Sequence, residues 1–154
     1  MMLDPSAFVA DPELIQGLEK QTVPISCSEE RTLFRQGEDP AGLYILKSGE
    51  ATLTMNSPVG KEVVSIQAAA GSLLGLPALI GNEPYTLTAV AQPGAQLGYL
   101  PKESFTSLVS ANPLLSLKIL QVLAAEVRAA RSAILHQRPA PAPRRSRLTP
   151  ARLP

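Results

Sequence analysis

The sequence predicts a mainly β domain, an antiparallel β-sandwich or β-roll with flanking helices, closed by a long C-terminal α-helix. Three observations carry that prediction. Short strand-like runs separated by glycine or proline turns fill the stretch from Arg31 to Leu100, the pattern of an antiparallel β architecture. No helical pattern of about ten residues interrupts them, which disfavours a parallel βαβ sheet. On either side, proline-initiated segments with apolar residues three and four apart mark helices.

The elements follow in order. Asp4-Pro5 and Asp11-Pro12 each put an acid at an N-cap before a proline at the first helical position. Leu14, Ile15 and Leu18 then fall at helical spacing, so short helices are expected over residues 4–20, with Pro24 ending that region. The expected strands are Thr32–Arg35, Leu43–Lys47, Ala51–Met55, Glu62–Gln67, Thr86–Ala91 and Gln96–Leu100. Turn signals between them include Gly37-Glu38-Asp39-Pro40, Lys47-Ser48-Gly49-Glu50, Ser57-Pro58-Val59-Gly60 and Pro93-Gly94. The β region therefore spans 30–101 and helices return over 102–135. Pro101–Val109 reads as a short helix, and Asn112-Pro113 starts a long one running to about Leu135. Within the long helix, Leu120, Leu123, Val127, Ala130 and Ile134 alternate by three and four, the spacing of a two-stranded coiled-coil seam. A homodimer through this helix is expected, against the alternative that the helix packs only on its own roll.

Composition narrows the class. A chain of 154 residues is one domain in size and can bury a core without metal or disulfide support. Cys27 is the only cysteine, so neither an internal bridge nor a cysteine zinc site is available, and a reducing, cytoplasmic setting is expected. The N-terminal MMLDPSAFVADPE lacks the basic and apolar regions of a signal peptide. The uncharged tract Ile119–Ala125 is far shorter than the roughly 20 residues a membrane span needs, so no membrane partner is expected. Charge is uneven: Met1 to Glu126 carries seven basic and thirteen acidic residues, and from Val127 onward seven arginines stand without an acid. The final RPAPAPRRSRLTPARLP has five prolines and five arginines in seventeen residues. Such a segment cannot build a core, so residues 1–137 are expected to form the domain and 138–154 a disordered tail.

"LFRQGEDPAGLYILKSGEATL", Leu33 to Leu53, resembles the first signature of the cyclic-nucleotide-binding domain in the sensor half of Crp/Fnr regulators. It has an apolar pair, the Gly37-Glu38 turn, the apolar quartet Leu43–Leu46 and then Gly49. "GYLPKESFTSLVSANPLLSLKILQVLAAEV" resembles that family's closing strand, short helix and dimerisation helix. The resemblance covers Asp11 to about Leu135 and implies the β-roll form of the fold. It also implies that the stretch from Leu74 to Val90, "LGLPALIGNEPYTLTAV", is the phosphate cassette. In the family a Gly-Glu pair opens this cassette, the Glu accepting from a ribose hydroxyl, and an Arg ten residues after the Gly pairs with the cyclic phosphate.

This chain aligns with the cassette without a gap but departs from it where charge is needed. The Glu position is Leu76, the Arg position is Tyr85, and Pro77 removes a backbone donor. Charge-assisted hydrogen bonds contribute roughly 1.5–3 kcal/mol each, so losing both weakens a nucleotide by a few powers of ten, at about 1.4 kcal/mol per tenfold. Leu76 is expected to put an apolar side chain where the ribose sits. Ordinary cyclic nucleotide binding is disfavoured and no cofactor is expected. The ligand-side candidates are Gly75, Leu76, Ala78, Leu79, Tyr85, Thr86 and Thr88. They serve a more apolar or less anionic effector, or the cassette is a folded remnant with Leu74, Leu79 and Ile80 in the core, or it binds a protein. On the long helix, where the family places hydroxyls against the base, the alignment puts Ala130 and Arg131, with Ser132 one step off.

Catalytic and metal chemistry lack their side chains. His136 is the only histidine, so no metal cluster of the cupin type and no Ser–His–acid or Cys–His arrangement can be drawn. After the long helix nothing resembles a recognition helix, so sequence-specific DNA binding by this chain alone is not expected. The arginine tail could neutralise phosphates non-specifically. The expected function is a non-catalytic regulatory or sensor module with a degenerate phosphate cassette; the alternatives are an interaction or scaffold protein without a small-molecule ligand, or a nonspecific nucleic-acid contact through the tail.

Overall fold

The structure is a computed structural model that describes Pro5 and residues 9–136, the side chain of His136 excepted. The helix expected at Asp4-Pro5 and the tail after Gln137 lie outside the described residues, apart from Pro5 itself.

Helix α1 (Pro12–Glu19) leads into strands β1 (Val23–Ser26), β2 (Arg31–Phe34), β3 (Gly42–Ser48), β4 (Ala51–Asn56), β5 (Glu62–Ala68) and β6 (Leu73–Leu74). A short α2 (Leu76–Gly81) precedes β7 (Thr88–Ala91) and β8 (Gln96–Pro101), and α3 (Lys102–Ser110) and α4 (Pro113–His136) close the described chain. The strands form two antiparallel four-stranded sheets, ordered β1-β8-β3-β6 and β2-β7-β4-β5. This is the β-roll with a long C-terminal helix that the sequence predicts.

The two sheets bury different faces because their strands carry different patterns. β5 alternates, with Val64, Ile66 and Ala68 buried and the residues between them exposed, so its sheet has one wet face. β3 is apolar on both faces. Its Leu46 joins Leu97 of β8, Leu53 and Ile66 in the core between the sheets. Its Leu43 and Ile45 face the other way, into a second core with Leu14 and Leu18 of α1, Phe105 of α3, and Leu115, Ile119 and Val122 of α4. Each fully buried Leu contributes roughly 1.5–3 kcal/mol, and that second core fixes the helices on the first sheet.

Local caps set the helix positions. Asp11 caps α1 by accepting from the Leu14 backbone N–H at 2.9 Å, and Lys118 of α4 reaches the same carboxylate at 3.1 Å. The Leu14 N–H, and then Lys118, hold the Asp11 carboxyl below its ordinary pKa. Helices α3 and α4 meet at 116° across the Ala111-Asn112 corner. That corner lays the first half of α4 over the sheet and carries the second half past it.

Two strands escape the sequence reading. β1 contains Pro24, the residue expected to end the N-terminal helical region, and the roll therefore starts at Val23 rather than residue 30. Pro24 is tolerated because β1 is an edge strand, where a missing N–H costs no ladder bond. β6 is only Leu73–Leu74, paired with Ile45 and Tyr44, too short to show periodicity. Conversely β7 begins at Thr88 and not Thr86, because Thr86 and Leu87 form a bend. Ile80, placed among the core residues of the remnant reading, is 45% exposed.

Gly49 closes the β3–β4 turn at φ 86°, and a Cβ there would lie 2.7 Å from the Ala95 Cα. Strain and overlap with backbone act together, so Gly49→Ala is expected to destabilise the domain by about 2–4 kcal/mol. A lowered urea midpoint with an unchanged slope checks it.

Candidate functional site

The cassette joins the two cores. Gly75 adopts φ 94° at the start of α2, and the helix that follows sends its side chains to both sides. Leu76 and Leu79 turn into the second core beside Leu14, Leu18 and Leu43. Ala78 turns the opposite way, toward the space between the sheets. The expectation that Leu76 fills a ribose position is thus corrected: it is fully buried among α1, β3 and α4 residues because its neighbours there offer a complete apolar shell.

Tyr85 stands at the position that the resemblance aligns with the family's Arg. Its ring stacks on Phe34 with centroids 3.9 Å apart and planes 14° from parallel. Its hydroxyl donates to the buried Gly42 carbonyl at 2.6 Å. Its backbone N–H donates to the Glu38 carbonyl at 2.9 Å, and its own carbonyl accepts from the Gly37 N–H at 2.8 Å. The Gly37-Glu38 turn is itself tied by the Arg35 N–H to the Glu38 carboxylate at 2.9 Å. Burial raises the Tyr85 pKa, so the phenol stays neutral. Gly75 is required against this ring: a Cβ there would lie 2.9 Å from Tyr85 Cε1.

Above this layer lies a cavity of about 190 Å³. Phe34, Leu53, Met55 and Val64 of the second sheet form its floor, with Leu73, Leu74, Gly75, Pro77 and Ala78 along one side. Tyr85, Thr86 and Leu87 form the opposite side, and Glu126 and Ala130 of α4 form the roof. No Lys or Arg lines it among the described residues. Of the sequence candidates, Gly75, Ala78, Tyr85, Thr86 and Ala130 come together here, and Leu76, Leu79 and Thr88 do not. The Thr88 hydroxyl instead accepts from the Gln36 N–H at 2.9 Å, tying the loop after β2 to the first residue of β7. Arg131 and Ser132 are exposed.

Glu126 is the residue that sequence reasoning missed. Its Oε2 is buried without a hydrogen-bond partner, and no other side-chain nitrogen or oxygen of the described residues is in that state. Burial raises its pKa from the ordinary 4.5 to about 7. The sequence held a signal: Glu126 is the sole acid in α4 and stands four residues before Ala130, on the same helix face.

The outer face of α4 is also rearranged relative to expectation. Leu120, Val127 and Ile134 are 60%, 49% and 59% exposed, at heptad spacing. Leu123 is partly buried against the second core, and Ala130 faces the cavity, so both leave the outward row. Leu117 and Ala124, both exposed, take their alternate positions. Among the described residues no single helix is long and apolar enough to cross a membrane, and no group of three or more His, Cys, Asp or Glu is placed to hold a metal.

A β-roll of eight strands, a glycine-started cassette and a long helix over its mouth define a cyclic-nucleotide-binding-like domain of the Crp/Fnr type. The chain belongs to the cyclic nucleotide-binding domain family, whose model matches residues 24–112, more than half of the chain. It is similar to the CRP-like cAMP-activated global transcriptional regulator of Mycobacterium tuberculosis, 25% identical over 118 residues, which are 77% of this chain and 53% of that protein. The chain thus spans about half the length of that relative. The neuropathy target esterase sws of Drosophila persimilis is 28% identical over 93 residues, 60% of this chain but 6% of the esterase. Among solved structures, the Thermus thermophilus catabolite activator protein matches with a TM-score of 0.70 and 23% identity, over 85% of this chain and 62% of that one. The sensor domain of the Pseudomonas aeruginosa regulator DNR matches at 0.61 and 22%, over 79% and 82%.

The raised pKa of Glu126 has a defined consequence for stability. Between pH 4.5 and about 7 the folded state keeps a proton that the unfolded state has released, so stability falls as pH rises through that window. The loss approaches a plateau on the order of 3 kcal/mol above pH 7, at 1.36 kcal/mol per unit. Tyr85 is the other titratable group lining the cavity and is neutral throughout. Glu126→Gln is therefore expected to match the wild type near pH 4.5 and to be more stable by about 2–3 kcal/mol near pH 8. Urea unfolding at the two pH values checks it.

Proposed function

We propose that this chain is a non-catalytic sensor module that takes a small effector other than a cyclic nucleotide in the cavity beneath α4, and signals through pairing of α4 with a second copy. The observation that carries the proposal is the cavity itself. It is mostly apolar and roofed by the helix, while the position aligned with the family's Arg is filled by a Tyr85 ring locked onto Phe34 and Gly42. Among the described residues an anionic phosphate would meet no Lys or Arg in the lining and would face the Glu126 carboxyl.

Family membership and the CRP-like relative support a regulatory role, and the name of that relative makes cAMP the ligand to be tested first. The outward row Leu117, Leu120, Ala124, Val127 and Ile134 supports a homodimer, since apolar residues at this spacing are the knobs of a two-stranded coiled coil. The module spans residues 1–137, in a cytoplasmic setting that suits the buried thiol of Cys27. The Arg/Pro segment 138–154 is taken as an appendage outside it.

Thermal unfolding with ligands tests the sensor reading. Cyclic mono- and dinucleotides are expected to give no shift, whereas a panel of neutral one- and two-ring compounds is expected to contain members that stabilise the fold. A ligand at 100 times its dissociation constant adds about 2.7 kcal/mol. Ala130→Phe, which fills the cavity from its roof, is expected to remove those shifts. No shift across the whole panel, or shifts that survive Ala130→Phe, would leave the chain an interaction module without an effector.

For the helix, Leu120→Glu together with Val127→Glu is expected to halve the sedimentation mass without lowering the melting temperature of the monomer. Leu123→Glu is expected to destabilise the fold instead, because Leu123 packs inward. An unchanged mass in the double variant rejects the seam.

A further inference from the structure

We propose that the occupant of this cavity is a one- or two-ring apolar molecule bearing an amine or similar N–H donor, and that Glu126 receives that donor. The inference rests on the effector proposal above and assigns the ligand's chemical class. Three properties of the site define it.

The walls set the body of the ligand. The Phe34–Tyr85 stack, Leu53, Met55 and Val64 present aromatic and aliphatic surface with no cation among them, which suits a ring and not a sugar. The size sets its extent. An apolar cavity of about 150 Å³ takes up benzene, so about 190 Å³ holds a single ring or an indole-sized pair. A base, a ribose and a phosphate together exceed it and would extend through its open mouth.

Glu126 sets the polar end. Its Oε2 is the one buried side-chain acceptor without a partner among the described residues, and Glu126 itself lines the cavity, so a small turn of its carboxyl presents that oxygen to an occupant. Native structures pair nearly all such groups, and an unpaired one calls for a reason. Leaving this acceptor unpaired is destabilising in the folded protein, and a ligand N–H that reaches it removes the penalty. Once Glu126 gives up its proton, its carboxylate in an apolar cavity attracts a cation and repels an anion more strongly than the same group in water. The same geometry that excludes a phosphate therefore selects an ammonium. Thr86, exposed at the cavity mouth, leaves room for a polar substituent to meet solvent.

Three probes of one shape separate these terms: tryptamine, indole and indole-3-propionate, titrated calorimetrically into the full chain near neutral pH. The wild type is expected to prefer tryptamine over the propionate by about tenfold or more, equivalent to at least about 1.4 kcal/mol. Glu126→Gln is expected to lose that preference and keep its affinity for indole, and Glu126→Ala serves as the second variant. Equal or tighter binding of the propionate, or an unchanged preference for tryptamine in both variants, overturns the role of Glu126 and leaves the effector cavity standing. No binding of these probes overturns the inference alone where other neutral ring compounds still stabilise the fold, and overturns both proposals where none does.

Discussion

β3 is apolar on both faces, and much of the molecule follows from covering it. Leu46 must meet the second sheet while Leu43 and Ile45 must meet something else. A single antiparallel sandwich would leave the latter pair in water. Helices α1, α3 and α4 supply the cover, and the corner before Pro113 directs α4 along the sheet. Because α4 is 24 residues long, about 36 Å at 1.5 Å per residue, it outruns the sheet it covers. Its continuation passes over the mouth of the roll, and the cavity is what lies between that overhang and the cassette.

The two departures from the cassette pattern have opposite physical meanings. Leu76 is a gain for the second core, where it is fully buried and outside the cavity lining. A carboxylate in its place would have to leave that core or be buried unpaired, at a cost of several kcal/mol. Tyr85 is a substitution within the site. Its ring is a fixed surface, anchored at both ends by Phe34 and the Gly42 carbonyl. The first change removes a ligand contact by redirecting it, and the second changes what the cavity wall offers.

The strands with clean alternation and the helices with proline starts were legible because their signals are local. Val64, Ile66 and Ala68 alternate in the sequence as they do in β5, and Asp11 caps α1 as its place before Pro12 implies. β1 and β6 were not legible, because an edge position excuses Pro24 and two residues carry no period. The site was half legible. Gly75, Ala78, Tyr85, Thr86 and Ala130 could be placed by alignment of the cassette and helix, but the direction of Leu76 depends on which core lies nearer. Leu123 and Ala130 fit a heptad seam by spacing alone, and only the packing of α4 on the roll turns them inward. Glu126 was hidden because a lone acid on a helix is ordinarily a solvated one.

That inward turn ties the cavity to the outer row. Glu126 and Val127 are consecutive residues of one helix, about 100° apart around its axis, and Ala130 stands between Val127 and Ile134 along it. A ligand drawn to the Glu126 carboxyl must settle the roof at a particular height over Tyr85 and Met55. A rigid helix cannot adjust its inner face without carrying the outer face with it. If pairing of Leu120, Val127 and Ile134 requires the same helix position, occupancy and pairing favour one another to an equal extent, since coupling between two binding equilibria is reciprocal. The helix needs no hinge for this. It needs only to be held along its first half by Leu115, Ile119 and Val122 and to be less firmly held over the cavity, where the contact offered to it is an unpaired carboxyl.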